Sequence, residues 1–226
     1  MSLIIEQNVI RYEKLYKDGH DHKYPNLDLI RLESIFLKKN KGKLLDYGFG
    51  ASENTIHLAK RGYEIYGLET SNEAVKICKR KLQENGFNKF KKNISLLQKN
   101  EEKLPYLNNS FDNIICISVL SLLQTKENII QLINEFYRIL KKNGKMIIDI
   151  NGPSGDFAKK GKYISEDEFE YSLKKDNQNK LKVYCPKNQL IFKKLFDKFI
   201  VKEIGNIQFN YFDISNNEYI ACLEKK

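Results

Sequence analysis

The chain has 226 residues, of which 41% are hydrophobic and 30% charged, and its formal net charge is +10. This size and composition predict one globular domain with a substantial core. No apolar run approaches the roughly 18 residues of a membrane span, and the N-terminus lacks the basic and apolar regions of a secretory signal. We therefore expect no membrane partner.

The positive charge comes mainly from lysines that are spread along the chain, and arginines are few. Arginine, rather than lysine, makes bidentate contacts with bases and phosphates, so nucleic acid is not the expected partner. The four cysteines lie far apart and form no C-x-x-C pair. We therefore expect buried, unreactive thiols and a reducing, cytoplasmic compartment.

The first 40 residues are predicted to form two helices. Apolar and aromatic residues recur at helical spacing from Ile5 to Tyr16, and a polar turn, DGHDHKYPN, follows at 18–26. Asn26 is the expected N-cap of the second helix, whose apolar face includes Leu29 and Phe36. We expect this pair of helices to form a cap on the rest of the protein.

From residue 41 onward, predicted strands and helices alternate. Several strand segments, such as LLDY, NIICIS and MIIDI, are apolar without alternation, which is typical of parallel strands covered on both faces. The pattern predicts a doubly wound α/β fold with helices on both faces of the sheet. The predicted strands are 43–47, 64–69, 94–98, 111–118 and 145–150, and the helices are 53–62, 72–86 (capped by Ser71) and 127–144.

The C-terminal third has a different organisation. Residues 151–185 are polar and too long for a plain connection, so they are predicted to form a lid or substrate wall, with a hairpin around DNQN at 176–179. A helix at 186–199 and strands at 200–209 and 218–225, joined by a loop at 210–217, complete a single domain over 1–226. Its cofactor-binding core is expected at 41–150.

The stretch KLLDYGFGASENTIHLAKRGYEIYGLETS, residues 43–71, contains a strand, a glycine turn, a helix and a second strand that ends in an acid. Gly48 and Gly50 leave room for a ligand beside the backbone, and Glu69 is placed to accept hydrogen bonds from a ribose diol. A nicotinamide dinucleotide would need glycine at position 53, where Glu53 would face the pyrophosphate. An acid before the turn, Asp46, suits a cationic ligand better.

This pattern resembles that of class I S-adenosylmethionine-dependent methyltransferases. Their motif D-x-G-x-G-x-G is matched at Asp46, Gly48 and Gly50, while Ser52 replaces the third glycine and is instead a candidate helix cap. The segment NEEKLPYLNNSFDNIICISVLSLL, 100–123, is similar to a second motif of the family, and RILKKNGKMIIDI and EYIACLEK are similar to its fifth strand and its antiparallel last strand. The resemblance implies a Rossmann-like, mostly parallel seven-stranded sheet.

The resemblance also implies the cofactor S-adenosylmethionine, with S-adenosylhomocysteine as product. In the family, an acid in the second motif accepts a hydrogen bond from the adenine amine. Asn100 occupies that position, with Glu101 as the alternative in a shifted register. The residues expected to bind the cofactor are Tyr16, Asp46, Tyr47, Gly48, Phe49, Gly50, Glu69, Thr70, Asn100, Glu101 and Ser118.

Transfer of a methyl group from a sulfonium requires alignment and exclusion of water, and a base only for a poor nucleophile. His20 and His22, in the turn after the first helix, are the candidate bases, and no metal site is expected. Ser118–Ser121 replaces the N/D-P-P-Y/F motif of exocyclic-amine nucleic-acid methyltransferases, so a small-molecule O-, N- or C-acceptor is favoured.

The lysines of 151–185 would suit an anionic acceptor. Two alternatives are a non-catalytic S-adenosylmethionine-binding protein and an RNA-directed methyltransferase. The sequence leaves monomer and dimer open.

Overall fold

The computed structural model describes residues 5–21, 23–37, 41–98, 103–173 and 176–226. Within these ranges, ten strands form two sheets. Their bounds are β1 Lys43–Tyr47, β2 Glu64–Glu69, β3 Ile94–Leu96, β4 Phe111–Cys116, β5 Leu140–Asn151, β6 Lys162–Ser165, β7 Glu168–Leu173, β8 Asp176–Tyr184, β9 Phe199–Tyr211 and β10 Ile214–Lys225.

Seven α-helices accompany the strands in the described part of the chain. Their bounds are α1 Glu6–Lys17, α2 Leu27–Leu32, α3 Glu53–Lys60, α4 Asn72–Glu84, α5 Lys126–Ile139, α6 Asp156–Lys160 and α7 Gln189–Lys194. Short polar side chains start several of them, because they accept hydrogen bonds from otherwise unpaired backbone N–H groups. Asn26 caps α2 and Ser71 caps α4, as predicted. No helix formed by these residues is both long and apolar enough to cross a bilayer.

The large sheet has seven strands in the order β3-β2-β1-β4-β5-β10-β9. Strands β1 to β5 are mutually parallel where they pair, and β10 is antiparallel to both β5 and β9. The predicted doubly wound, mostly parallel sheet with an antiparallel last strand is therefore confirmed. Strand order reverses between β1 and β4, and ligands of such sheets bind at the carboxyl ends of the strands beside this reversal.

Two apolar clusters cover the faces of this sheet. Successive residues of one strand enter different clusters, as Leu44 and Leu45 of β1 do. Helix α5 contributes Phe136 to one cluster, and α4 contributes Leu82 to the other. Because both faces are buried, the central strands carry apolar residues on both faces over most of their length, which explains why their sequences lack alternation.

Several predicted boundaries were wrong. Helix α5 ends at Ile139 rather than at 144, because Leu140 is fully buried and pairs with Phe111 as the first residue of β5. Helix α7 covers only Gln189–Lys194, with Asn188 as its cap. The predicted loop 210–217 is mostly strand, since β9 and β10 pair up to Tyr211 and Ile214.

Strands β6, β7 and β8 form the second, antiparallel sheet. The predicted hairpin exists as the β7–β8 pair, but DNQN lies within β8 rather than in a turn. Val183 and Cys185 pack with Phe157 and Phe169 in a small core of its own. All four cysteines of the chain are free and buried.

A buried carboxylate links α2 to the sheet. Glu33 is 1% exposed, and it accepts hydrogen bonds from the Arg61 guanidinium at 3.1 Å and from the Tyr63 hydroxyl at 2.9 Å. We expect Tyr63→Phe to lower the free energy of unfolding by about 1–2 kcal/mol, because the carboxylate would lose a buried donor. Urea unfolding measures the loss. Tyr163→Phe, at a position that is 61% exposed, is the control, and equal losses in the two variants would contradict this role.

Candidate active site

A cavity of about 500 Å³ lies at the carboxyl ends of the parallel strands, between α1 and the glycine turn. Its walls come from one face of α1, the turn and helix start at 47–54, the end of β2 and the segment 117–123. Predicted cofactor residues that line it are Tyr16, Tyr47, Gly48, Phe49, Gly50, Glu69, Thr70 and Ser118. The structure therefore brings most of the predicted site together around one cavity.

The glycine turn has a left-handed backbone at three alternate residues. The φ angles are +71° at Gly48, +52° at Gly50 and +76° at Ser52. A Cβ atom at Gly48 would lie 2.4 Å from Val119 Cγ2, and one at Gly50 would lie 2.7 Å from the Tyr16 hydroxyl oxygen. Glycine is therefore required at both positions, by the backbone conformation and by the space available.

Ser52 does not play its predicted part. It stands at the N-cap position of α3, but its hydroxyl accepts no capping hydrogen bond. Its left-handed conformation directs the side chain away from the helix start, whereas an N-cap residue normally has extended backbone angles. The conformation itself explains why the family pattern has glycine there, since a left-handed residue with a Cβ is disfavoured by about 1 kcal/mol.

Glu69 ties the end of β2 to the glycine turn. One carboxylate oxygen accepts the N–H of Gly50 at 3.0 Å, and the other accepts the N–H groups of Thr70 at 2.6 Å and Ser71 at 3.1 Å. Glu69 is 8% exposed and lines the cavity. These three backbone donors hold an acceptor group at the position where a ribose diol is expected.

Asp46 lies behind the cavity wall rather than in it. Its carboxyl is 2% exposed and accepts a hydrogen bond from the Thr55 hydroxyl at 2.6 Å. Burial raises the pKa of Asp46 to about 7, with a further contribution from Glu69, although the bond from Thr55 opposes the shift. The predicted direct contact with a cationic ligand is therefore replaced by a position beneath the turn.

The raised pKa of Asp46 has a consequence for stability. Between its ordinary value near 4 and about 7, the folded protein holds a proton that the unfolded chain releases, so stability falls as pH rises through this window. From pH 5 to pH 8, we expect the free energy of unfolding of Asp46→Asn to increase by about 2 kcal/mol relative to that of the wild type. Urea unfolding at both pH values tests this, with the exposed Asp197→Asn as control. Parallel pH profiles of wild type and Asp46→Asn would contradict it.

Aromatic side chains of α1 form the roof of the cavity. The rings of Tyr12 and Tyr16 are 6.3 Å apart, and those of Tyr16 and His20 are 6.2 Å apart. Burial and the nearby Glu69 raise the pKa of Tyr16, so its hydroxyl is neutral at physiological pH. His20, one of the two predicted bases, lines the cavity. His22, Asn100 and Glu101 lie outside the described residues.

Two sets of polar contacts hold this roof in place. Glu13 of α1 accepts hydrogen bonds from the Ser71 hydroxyl at 2.7 Å and from the Glu73 N–H at 3.0 Å, at the start of α4. Lys81 donates to the Ala51 carbonyl at 2.8 Å and forms ion pairs with Asp21 and Glu53.

The ion pair between Lys81 and Glu53 contradicts one expectation from the sequence. Glu53 was expected to disfavour a pyrophosphate through an uncompensated charge, but Lys81 neutralises that charge. The acid at position 53 therefore says little about the charge of the ligand.

Asp149 supports the cavity residue Ser118, and the sequence prediction missed it. Its carboxyl, at the end of β5, is 1% exposed and accepts the N–H of Ser118 at 2.6 Å, which supports the left-handed backbone of Ser118 (φ +61°). Burial, together with the nearby Glu218, raises the pKa of Asp149 well above its ordinary value. The signal was present in MIIDI, where a single acid interrupts an apolar strand.

The described residues fit S-adenosylmethionine. Two glycines leave space that a Cβ would fill, an oriented carboxylate is available for the ribose, and neutral aromatic rings face the cavity. In the same described ranges, no group of three or more His, Cys, Asp or Glu residues could hold a metal ion.

Comparison with known proteins agrees with this geometry. Residues 45–148 match the family model described as a methyltransferase domain. The YqeM protein of Bacillus subtilis is 28% identical over 134 residues, which are 55% of this chain and 52% of that protein. The ubiquinone/menaquinone biosynthesis C-methyltransferase UbiE of Wigglesworthia glossinidia brevipalpis is 30% identical over 123 residues, which are 52% of this chain and 46% of that protein.

The chain thus spans about half the length of these two curated relatives. A SAM-dependent methyltransferase structure from Methanosarcina mazei has the same fold, with a TM-score of 0.66 and 16% identity over 82% of this chain and 93% of that one. The matched residues include the glycine turn, Glu69 and Ser118. Residues 45–148 are therefore similar to a methyltransferase domain, and the chain has the fold of S-adenosylmethionine-dependent methyltransferases.

Proposed function

We propose that the protein transfers the methyl group of S-adenosylmethionine to a small-molecule acceptor. The observation that carries this proposal is one cavity lined by the glycine turn and Glu69 and also by further polar side chains. Tyr24, Asn26, Asn54 and Ser118 line the same cavity. A volume of about 500 Å³ is typical of pockets for small molecules and leaves little room for a polymer.

In this proposal the protein acts mainly by alignment. When bound, S-adenosylmethionine would supply a methyl group that its sulfonium activates for transfer to a nucleophilic atom of the acceptor, with S-adenosylhomocysteine as the leaving group. Glu69 and the glycine turn fix one end of the cavity, and the partly buried, neutral Tyr12 and Tyr16 exclude water from it. His20 lies in the cavity wall, where it is our candidate to take the acceptor's proton.

The nature of the acceptor is part of the proposal. Among the described residues that line the cavity, Arg11 is the only lysine or arginine, and it supports an acceptor with an anionic group. Because one relative is named as a C-methyltransferase, carbon is considered as an acceptor atom together with oxygen and nitrogen.

Binding and turnover can be tested separately. We expect calorimetric titration to show micromolar binding of S-adenosylmethionine and S-adenosylhomocysteine. We also expect formation of S-adenosylhomocysteine with at least one member of a panel of small hydroxyl, amine, carboxylate and carbon acceptors. Tight binding without turnover on any acceptor would favour a non-catalytic binding protein, and turnover only with RNA would overturn the small-molecule assignment.

A further inference from the structure

The side chain of Asn8, on the cavity face of α1, has an unused hydrogen-bond acceptor. Its Nδ2 donates to the Leu122 carbonyl at 2.6 Å, and this contact fixes the orientation of the amide, since the flipped form would set two oxygens against each other. Asn8 is 9% exposed and lines the cavity. Within the described chain, its buried Oδ1 has no hydrogen-bond partner.

A buried amide oxygen without a hydrogen-bond donor is unfavourable, and a bound ligand is one partner that can supply the missing donor. The position of Asn8 indicates which part of a ligand would supply the donor. Glu69 marks the ribose, and its backbone carbonyl accepts the N–H of Leu97 at 2.8 Å, so the segment after β3 lies directly beside the ribose position. The base attached to that ribose therefore reaches the part of the cavity that contains Leu97.

Asn8 also lies close to apolar residues of the cavity. It is held on the segment that contains Leu122 and Leu123, and its helix neighbour Val9 packs on the apolar cluster to which Leu97 and Leu123 belong. Ile5, Leu97, Leu122 and Leu123 line the same cavity as Asn8. A flat purine suits apolar side chains, and a polar atom beside them would select one edge of the base.

We propose that Asn8 Oδ1 accepts a hydrogen bond from the adenine amine of the cofactor. This assignment rests on the proposed function, since it takes S-adenosylmethionine as the ligand. It makes Asn8 a specificity residue on the N-terminal cap, in addition to the acceptor expected at Asn100 or Glu101. In the corresponding inosine derivative a carbonyl oxygen replaces the amine, so Oδ1 would face another acceptor and repel it.

The test compares S-adenosylhomocysteine with S-inosylhomocysteine by calorimetric titration of the full chain. We expect Asn8→Ala to weaken the binding of S-adenosylhomocysteine about tenfold, the usual range for one buried hydrogen bond, while the inosine derivative, relieved of the repulsion from Oδ1, binds at least as tightly as before. Selectivity for adenine over hypoxanthine would therefore narrow by at least about tenfold relative to wild type. Lys14→Ala, on the exposed face of the same helix, should leave both affinities unchanged.

The outcomes are distinguishable. If Asn8→Ala weakens the binding of both ligands equally, Asn8 only supports α1. Unchanged affinity for both ligands would also overturn the proposal. Urea unfolding shows whether Asn8→Ala is folded. We expect that it is, because alanine is a better helix former than asparagine. If the wild type binds neither ligand, the proposed function itself fails.

Discussion

Replacing Gly48 by valine is expected to lower the affinity for S-adenosylhomocysteine more than about 100-fold, a loss of roughly 2.7 kcal/mol. The φ angle of +71° is unfavourable for any residue with a Cβ and especially so for a β-branched one. The new Cβ would also lie 2.4 Å from Val119 Cγ2, and both residues line the cavity. Relief of this contact must move the turn or Val119 within the cofactor site.

The control for this prediction is Gly86→Ala. Gly86 has a similar φ angle, +81°, but a Cβ there would meet no atom within 4 Å. This variant carries the backbone strain without filling the cavity, so we expect reduced stability and unchanged cofactor affinity. Calorimetric titration measures binding, and thermal unfolding shows whether each variant is folded. Near-wild-type affinity in a folded Gly48→Val protein would mean that the cofactor binds elsewhere.

Glu69→Gln is expected to weaken cofactor binding about 10- to 100-fold, because two charge-assisted hydrogen bonds to the ribose become weaker or are lost. The amide also introduces N–H donors beside the N–H groups of Gly50, Thr70 and Ser71, which the carboxylate accepts at present. Part of the loss will therefore come from the protein's own contacts. A second ligand is needed to separate the two contributions.

The 2′-deoxy derivative of S-adenosylhomocysteine supplies this comparison. If Glu69 binds the diol, the variant should discriminate less between the two ligands than the wild type does, in a double-mutant cycle. Glu64→Gln, at the exposed start of the same strand, is the matched control and should bind both ligands as the wild type does. Undiminished discrimination in Glu69→Gln would limit Glu69 to a structural role.

Much of the fold was predictable because its signals are local. Runs such as LLDY and MIIDI are apolar on both faces, and this pattern is typical of central parallel strands. Asn26 and Ser71 precede apolar helical patterns, and both are caps in the structure. Gly48, Gly50 and Glu69 were predictable as a site because a strand, a turn and a helix need only short-range spacing to form it.

The wrong predictions concern features that depend on distant partners. The end of α5 is set by the pairing of Leu140 with Phe111, and the end of β9 by its long pairing with β10. Propensity in one segment contains no information about such pairing, since burial and cross-strand contacts outweigh it. The residue type of Ser52 predicts an N-cap, but its left-handed backbone conformation prevents it from capping α3.

The sequence by itself determined the order of strands and helices, the glycine turn and the acid after β2, because spacing along the chain governs these features. Only the tertiary structure decided which side chains share the cavity. It places Asp46 outside the cavity lining, pairs Glu53 with Lys81, and brings Asn8 and Asp149, which are 141 positions apart, into hydrogen bonds with Leu122 and Ser118 of one segment. These contacts depend on how α1 and β5 pack against the ends of the sheet, and the long-range burial that holds them there has no counterpart in local sequence pattern.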